Sequence, residues 1–340
     1  MRQRKLGRIS LEILLLSLVV ALAAVKPLQA QEKLVVAYPA GAGTHGPLWA
    51  ASDLGLFEKY GLHVDTVMIS GSVRGIQSLL SNSTHIIQGD PTPPILAAAR
   101  GADLAIFGQP LNRSPFTFLS SKQIRKPSDL VGKKIGILNF SDATDINVSA
   151  ALKEWNIPRR SVTIVPMGSD WTVRLIALAN GSIDATVMAP PDSFVAAARY
   201  GLTVLAEMSD LKISFPHTVL TTTRPFIKRN PEMIKRFIQA YSEAIFQFST
   251  DKAKGLAVYN KHLRQRDPKV IQQTYDYYGP RFSLPPTPDA AAIGTVLDLM
   301  GQHAPEGLDR IDVAQFVDDS AVRALEKEGF FKKLMSRANK

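Results

Sequence analysis

Asn82-Ser83-Thr84, then Pro93-Pro94, then Ala97-Ala98-Ala99-Arg100-Gly101: these landmarks within residues 70–107 return in the same order within residues 168–205. The second set reads Asn180-Gly181-Ser182, Pro190-Pro191, Ala196-Ala197-Ala198-Arg199 and Gly201. The Asn pair is offset by 98 positions and the Ala-Ala-Ala-Arg pair by 99, so the register slips by one residue. Each copy reads as a helix, a polar turn, a short strand, a Pro pair, an Ala-rich helix and another strand. An Ala-rich tetrapeptide alone recurs by chance. An ordered set of turns, prolines and strands points to two similarly built lobes, too few copies for a solenoid.

Outward from this echo, Leu34 to Tyr38 reads as a buried first strand, broken by Pro39-Ala40-Gly41-Ala42-Gly43. A helix is expected from Pro47 to Tyr60, with Gly61 closing it. A strand over Leu62–Ile69 and a helix from Ser72 through Leu80 follow, then strands at His85–Ile87 and Leu104–Phe107. Alternating strands and helices are the pattern of an α/β fold with parallel strands. Phe116 to Ser121 and Thr218 to Thr223 read as two strand-like crossings, one out and one back, so one lobe is expected to be inserted into the other about a double hinge. The expected division is 31–120 plus 222–340 for the first lobe and 121–221 for the second. From Pro225 onward the pattern is helical, with Asn230-Pro231-Glu232 capping an amphipathic helix through Phe248.

The N-terminus reads as an export signal spanning residues 1–30. Arg2, Arg4, Lys5 and Arg8 precede an apolar run, Ile13–Val25, and Leu28-Gln29-Ala30 offers a cleavage site. The run is shorter than the roughly 20 residues that cross a bilayer, so a retained anchor is the lesser reading. The chain has no cysteine, which excludes a lipidated N-terminal Cys and any disulfide. The formal net charge is +10, of which residues 1–30, with five Lys/Arg and one Glu, carry +4. The remaining charge is scattered, so a nucleic-acid partner is not expected. The six histidines show no metal-ligand spacing, and no Gly-x-Ser-x-Gly, His-Glu-x-x-His or phosphate-loop motif occurs. No cofactor is expected.

Pro47-Leu48-Trp49-Ala50-Ala51-Ser52-Asp53-Leu54-Gly55-Leu56-Phe57-Glu58-Lys59-Tyr60-Gly61-Leu62 resembles the opening signature of the nitrate/sulfonate/taurine-type and thiamine-precursor-type (NMT1-like) solute-binding proteins of ABC importers. Lys126 to Gly136 is similar to that family's second-lobe opening. Ala179-Asn180-Gly181-Ser182-Ile183-Asp184-Ala185, followed by Pro190-Pro191, matches a later segment. The likeness spans about residues 32–335. It implies the type II periplasmic binding protein fold, a periplasmic and monomeric protein, and delivery of a small molecule to an importer permease. An enzyme on the same fold, related to thiamine-pyrimidine synthesis, is the alternative, as is a ligand sensor without transport. The enzyme's cysteine-rich motif has no counterpart here.

In open α/β sheets a ligand sits beyond the carboxyl ends of the strands, where helices begin. Free N–H groups there favour anions or carbonyl-type acceptors. The candidate loops supply Ala40, Gly41, Thr44 and His45; Gly71 and Ser72; Gly89 and Asp90; Asn139, Ser141 and Thr144; Ser169 and Trp171; and Pro190 with Asp192. Arg74 and Arg113 are the candidate forks for a carboxylate or sulfonate. Together they lean toward a small organic acid, such as a sulfonate or an aromatic carboxylate. Asp90, Asp142, Asp145 and Asp192 pull the other way, toward a guest with donor groups.

Overall fold

The structure is a computed structural model that describes residues 33–168, 171–213, 215–300, 308 and 312–339. The expected export signal and Ser169 lie outside the described residues.

The first sheet is ordered β2-β1-β3-β10-β4, from β1 (Lys33–Tyr38), β2 (His63–Met68), β3 (Ile86–Gly89), β4 (Leu104–Leu111) and β10 (Thr218–Thr223). The second is ordered β7-β6-β8-β5-β9, from β5 (Thr117–Ser120), β6 (Lys134–Ile137), β7 (Thr163–Pro166), β8 (Ala185–Met188) and β9 (Thr203–Glu207). The two are copies of one plan. Three strands are parallel, and the fourth and fifth positions hold a strand antiparallel to its neighbours and an outer strand.

The echo reaches the individual hydrogen bond. Val36 faces Ile86 in the first sheet and Ile135 faces Ala185 in the second, each member displaced by 99 positions. His85 donates its N–H to the Val35 carbonyl (2.9 Å) while its Nδ1 accepts the Val35 N–H (2.9 Å). Asp184 does the same to Lys134, at 2.8 Å for the carbonyl and 2.8 Å for the Asp184 carboxylate. Two unlike side chains thus satisfy the same orphan amide at the start of the same strand.

The segments read as crossings belong inside the sheets. β5 lies between β8 and β9, and β10 between β3 and β4, so the chain changes sheets over residues 112–116 and 208–217. A run of β-branched and apolar residues looks alike whether it links sheets or fills one. β4 is an outer strand, yet all eight of its residues are buried. C-terminal segments cover it: Gln109 N–H donates to the Pro286 carbonyl, Ser283 N–H to Pro110 and Asp318 N–H to Ile106, each at 2.9 Å. The exposed edge is thereby removed as a pairing template.

The helices in chain order are α1 (Gly46–Asp53), α2 (Leu56–Lys59), α3 (Ser72–Leu80), α4 (Thr92–Ala99), α5 (Ala143–Glu154), α6 (Trp171–Ala179) and α7 (Asp192–Tyr200). The C-terminal region adds α8 (Arg224–Arg229), α9 (Pro231–Thr250), α10 (Lys252–His262), α11 (Pro268–Tyr278), α12 (Ala290–Met300), α13 (Ser320–Lys327) and α14 (Phe330–Met335). The helix expected over 47–60 is split, because Gly55 takes a left-handed backbone (φ 62°) that ends one helix and starts the next. In α9, Ile234, Phe237, Ile238, Tyr241, Ile245 and Phe248 recur at helical spacing and are buried against α1 and the first sheet. Asn230 stands at its N-cap position, but the Asn230 amide donates to the Phe226 carbonyl (3.2 Å) instead of capping. α12 packs on α5, and its Ile293, Val296 and Leu299 join an apolar cluster with Ile135 and Ile146 of the second sheet's layer and Ile106 and Val219 of the first.

Candidate functional site

Beyond the carboxyl end of β1 the chain enters a tight turn, Gly43–His45, and then α1. Gly43 is required there: a Cβ would fall 2.4 Å from the Tyr278 ring of α11. Thr44 and His45 are buried, and the fully buried Gln88 of β3 ties them down. The Gln88 amide donates to the Thr44 carbonyl (3.1 Å) and to His45 Nδ1 (3.0 Å), and Tyr241 donates its hydroxyl to Gln88 Oε1 (2.9 Å). Burial, reinforced by nearby His217, lowers the His45 pKa to about 3. His45 is therefore a neutral acceptor in a closed network, packed on the rings of Tyr38 (5.3 Å) and Trp49 (5.9 Å).

β3 ends at Gly89, and Asp90 follows. Its Oδ1 accepts the Thr92 N–H (2.7 Å) at the start of α4. Across the cavity stands Ala143, the first residue of α5 in the other half of the molecule, and its backbone N–H helps to hold the Asp90 pKa down. Asp142 caps α5, accepting the N–H groups of Thr144 (2.8 Å), Asp145 (3.1 Å) and Asn139 (2.9 Å) and the Thr144 hydroxyl (2.6 Å). Two carboxyls thus meet across the line between the sheets. Burial and then the charge of Asp142 raise Asp90 to about 6, against hydrogen bonds that pull it down. Burial also raises Asp142.

A narrow cavity opens at this meeting. Asp90, Pro91 and Thr92 form one wall and Ala143, Ile146 and Asn147 of α5 the opposite one. Phe215, Pro216 and His217 on the return crossing and Val296 of α12 complete it. Its volume of about 10 Å3 is room for roughly one water molecule, so a larger guest enters only as the walls part. Asn147 is fully buried; its amide donates to the Ala143 carbonyl (2.6 Å) and its Oδ1 accepts the hydroxyl of Ser114, on the outward crossing. Burial lowers His217 to about 4, so this imidazole too is neutral. In the second sheet β8 leads through the cis Pro190-Pro191 bond into α7, and Tyr278 of α11 donates to the Pro190 carbonyl (3.3 Å).

Thr44, His45, Gly89, Asp90, Asn139, Ser141, Thr144, Pro190 and Asp192 all lie at junctions where the carboxyl end of a strand leads into a helix, Gly89 as the last strand residue and Thr144 and Asp192 in the first helical turn. Ser141 has a left-handed backbone (φ 61°), and its N–H donates to Asp145 (2.9 Å). Ala40 and Gly41 are exposed on the loop after β1, and Gly71 is exposed just before Ser72 and α3. Neither expected arginine joins the cavity. Arg74 is exposed on α3, and Arg113 donates to the Ser209 (2.8 Å) and Leu211 (3.4 Å) carbonyls, bracing the two crossings together. Trp171, 36% exposed, opens α6 and does not line the cavity. His217 and Asn147 escaped the sequence reading, as a lone histidine and a mid-helix asparagine carry no motif. The one signal was the position of His217, immediately before the returning β-branched strand. Among the described residues no three metal-ligating side chains cluster, and no helix is long and apolar enough to cross a membrane.

Duplicated sheets with two crossings between them and a cavity at the helix starts define the periplasmic binding protein fold. Residues 42–251 match the family described as NMT1/THI5 like, and the chain belongs to that family. The taurine-binding periplasmic protein of Escherichia coli (strain K12) is 28% identical over 200 residues, 57% of this chain and 60% of that protein. The periplasmic aliphatic sulphonate binding protein SsuA from Escherichia coli superposes with a TM-score of 0.73 at 22% identity, covering 84% of this chain and 92% of that one. The desulfurization enzyme DSZB shares the fold at a TM-score of 0.62 and 15% identity, over 87% of this chain and 99% of its own.

Proposed function

We propose that this chain is an exported, monomeric solute-binding protein that closes two lobes on a small molecule and delivers it to the permease of an ABC importer. The lobes are the halves built on the two sheets, joined at residues 112–116 and 208–217. The carrying observation is the cavity where Asp90 and Thr92 of one half face Ala143 and Asn147 of the other, beside the crossings that would act as the hinge. Relatives named for taurine and sulphonate binding in the periplasm support both capture and location. Capture without chemistry is favoured over an enzyme, although DSZB shows that the fold also carries catalysis. His45, expected among the binding residues, is held as an acceptor by Gln88 and stays neutral down to about pH 3 in the folded protein.

A thermal-shift screen of small metabolites tests the capture. A ligand at 100 times its Kd stabilises the folded protein by about 2.7 kcal/mol. Delivery is tested by the ATPase of the cognate permease reconstituted with this protein. The expected result is stimulation that depends on the ligand; a melting temperature that no metabolite moves would refute the reading.

A further inference from the structure

Resting on the capture reading, we propose that Asp90 selects the solute: the cleft takes a molecule that presents an N–H donor, a protonated amine or an amide-like group, and rejects a bare anion. The apolar body of such a molecule would lie against Ile146, Phe215 and Val296.

The acceptors at the cavity are unequal. Asp142 is filled by four donors of its own loop and helix start, from Asn139, Thr144 (twice) and Asp145. Asp90 accepts the Thr92 N–H on its own side and faces Ala143 of the other half across the cavity. When the halves part, Ala143 moves away while Thr92 stays, leaving Asp90 open to the gap. Closing then carries Asp90 back toward Asp142, and two like charges resist that approach. A donor group held between them removes the resistance, so binding and closing become one event.

Two arginines beside the crossings and α5 are committed elsewhere. Arg113 is spent on backbone carbonyls, and Arg159 pairs with Asp145 (2.5 Å) while donating to Ser149 (2.6 Å). No lysine or arginine lines the cavity among the described residues. His45 and His217 are kept neutral by burial. The start of α5, ordinarily a perch for an anion, is already occupied by Asp142 and faced by Asp90. The remaining wall is apolar, which suits a carbon skeleton behind the polar head.

The test is a thermal-shift and calorimetric panel of primary amines, primary amides, carboxylates and sulfonates of matched size, run on the wild-type protein, Asp90→Asn and Asp90→Glu. The expected hits are amines or amides. Their affinity should fall at least tenfold in Asp90→Asn for the amines and be largely kept in Asp90→Glu. Hits confined to carboxylates or sulfonates would overturn the donor assignment and leave capture standing. Amine hits that Asp90→Asn leaves unchanged would place the ligand away from Asp90 and also overturn it. If either variant fails to fold, the wild-type ranking of the four classes still decides. Silence across all four classes would count against capture itself.

Discussion

Replacing Asp90 by asparagine should make the protein more stable at pH 7.5, because the carboxyl is held at a cost. Its pKa is about 6 in the fold against 3.8 in the unfolded chain. At about 1.36 kcal/mol per pH unit, keeping it ionised costs the folded state roughly 3 kcal/mol. Asparagine retains an oxygen for the Thr92 N–H at 2.7 Å and carries no charge to set against Asp142. Part of the gain is offset by weaker hydrogen bonds to a neutral acceptor, leaving about 1–3 kcal/mol. For a protein of this size that is a rise of roughly 1.5–5 °C in Tm. The sign with pH follows from the raised pKa. Between pH 3.8 and 6 the folded form holds the proton more tightly, so the wild type loses stability as pH rises through about 6. The advantage of Asp90→Asn should be full above pH 7 and vanish below about pH 4. Urea unfolding of both proteins across this range is the assay. A variant less stable at pH 7.5, or a difference that does not change with pH, would refute the reasoning. The same variant should bind amines poorly, a trade of stability for function at one residue.

The buried histidines act with the opposite sign. His45 at about 3 and His217 at about 4 lie below the ordinary 6.5, so protons favour the unfolded chain and stability is lost as pH falls below about 6.5. Each contributes up to about 1.4 kcal/mol per pH unit in that range. His45→Asn should flatten the dependence of the urea midpoint between pH 6.5 and 4.5, and an unaltered slope would count against the buried, neutral imidazole. Gly43→Ala should destabilise by about 1–3 kcal/mol through overpacking. The new methyl meets a Tyr278 ring that is fully buried and stacked on Phe282 (6.1 Å), so neither side yields easily. A urea midpoint within error of wild type would show that the turn can relax.

The fold was legible because its strongest signal is repeated. Turn residues before β3 and β8, Pro pairs after them and Ala-rich helices beyond stand 98, 97 and 99 positions apart in sequence, and the strand registers repeat at 99. Strand partners were not legible. β5 and β10 read as linkers because alternation reports burial on a sheet, not which sheet. The turns carrying Asp90, Asn139, Thr144 and Pro190 were found from Gly, Pro and Asp at strand-to-helix junctions, where geometry and N-caps demand them. Arg74 and Arg113 stand away from the cavity lining, and a long flexible side chain reports charge in sequence and not direction. Gln88, which organises Thr44 and His45, sits inside a strand, and only its complete burial marks it.

The most direct measurement is the distance between the ends of the two halves remote from the cavity. With no cysteine in the chain, Ser83→Cys before β3 and Asn180→Cys before β8 give two unique, exposed labelling positions. Single-molecule energy transfer between them, with and without an amine that raises the wild-type melting temperature, should show two distance populations and a shift from one to the other on binding. A single distribution that stays in place when the amine is bound would contradict two lobes closing about the crossings at 112–116 and 208–217.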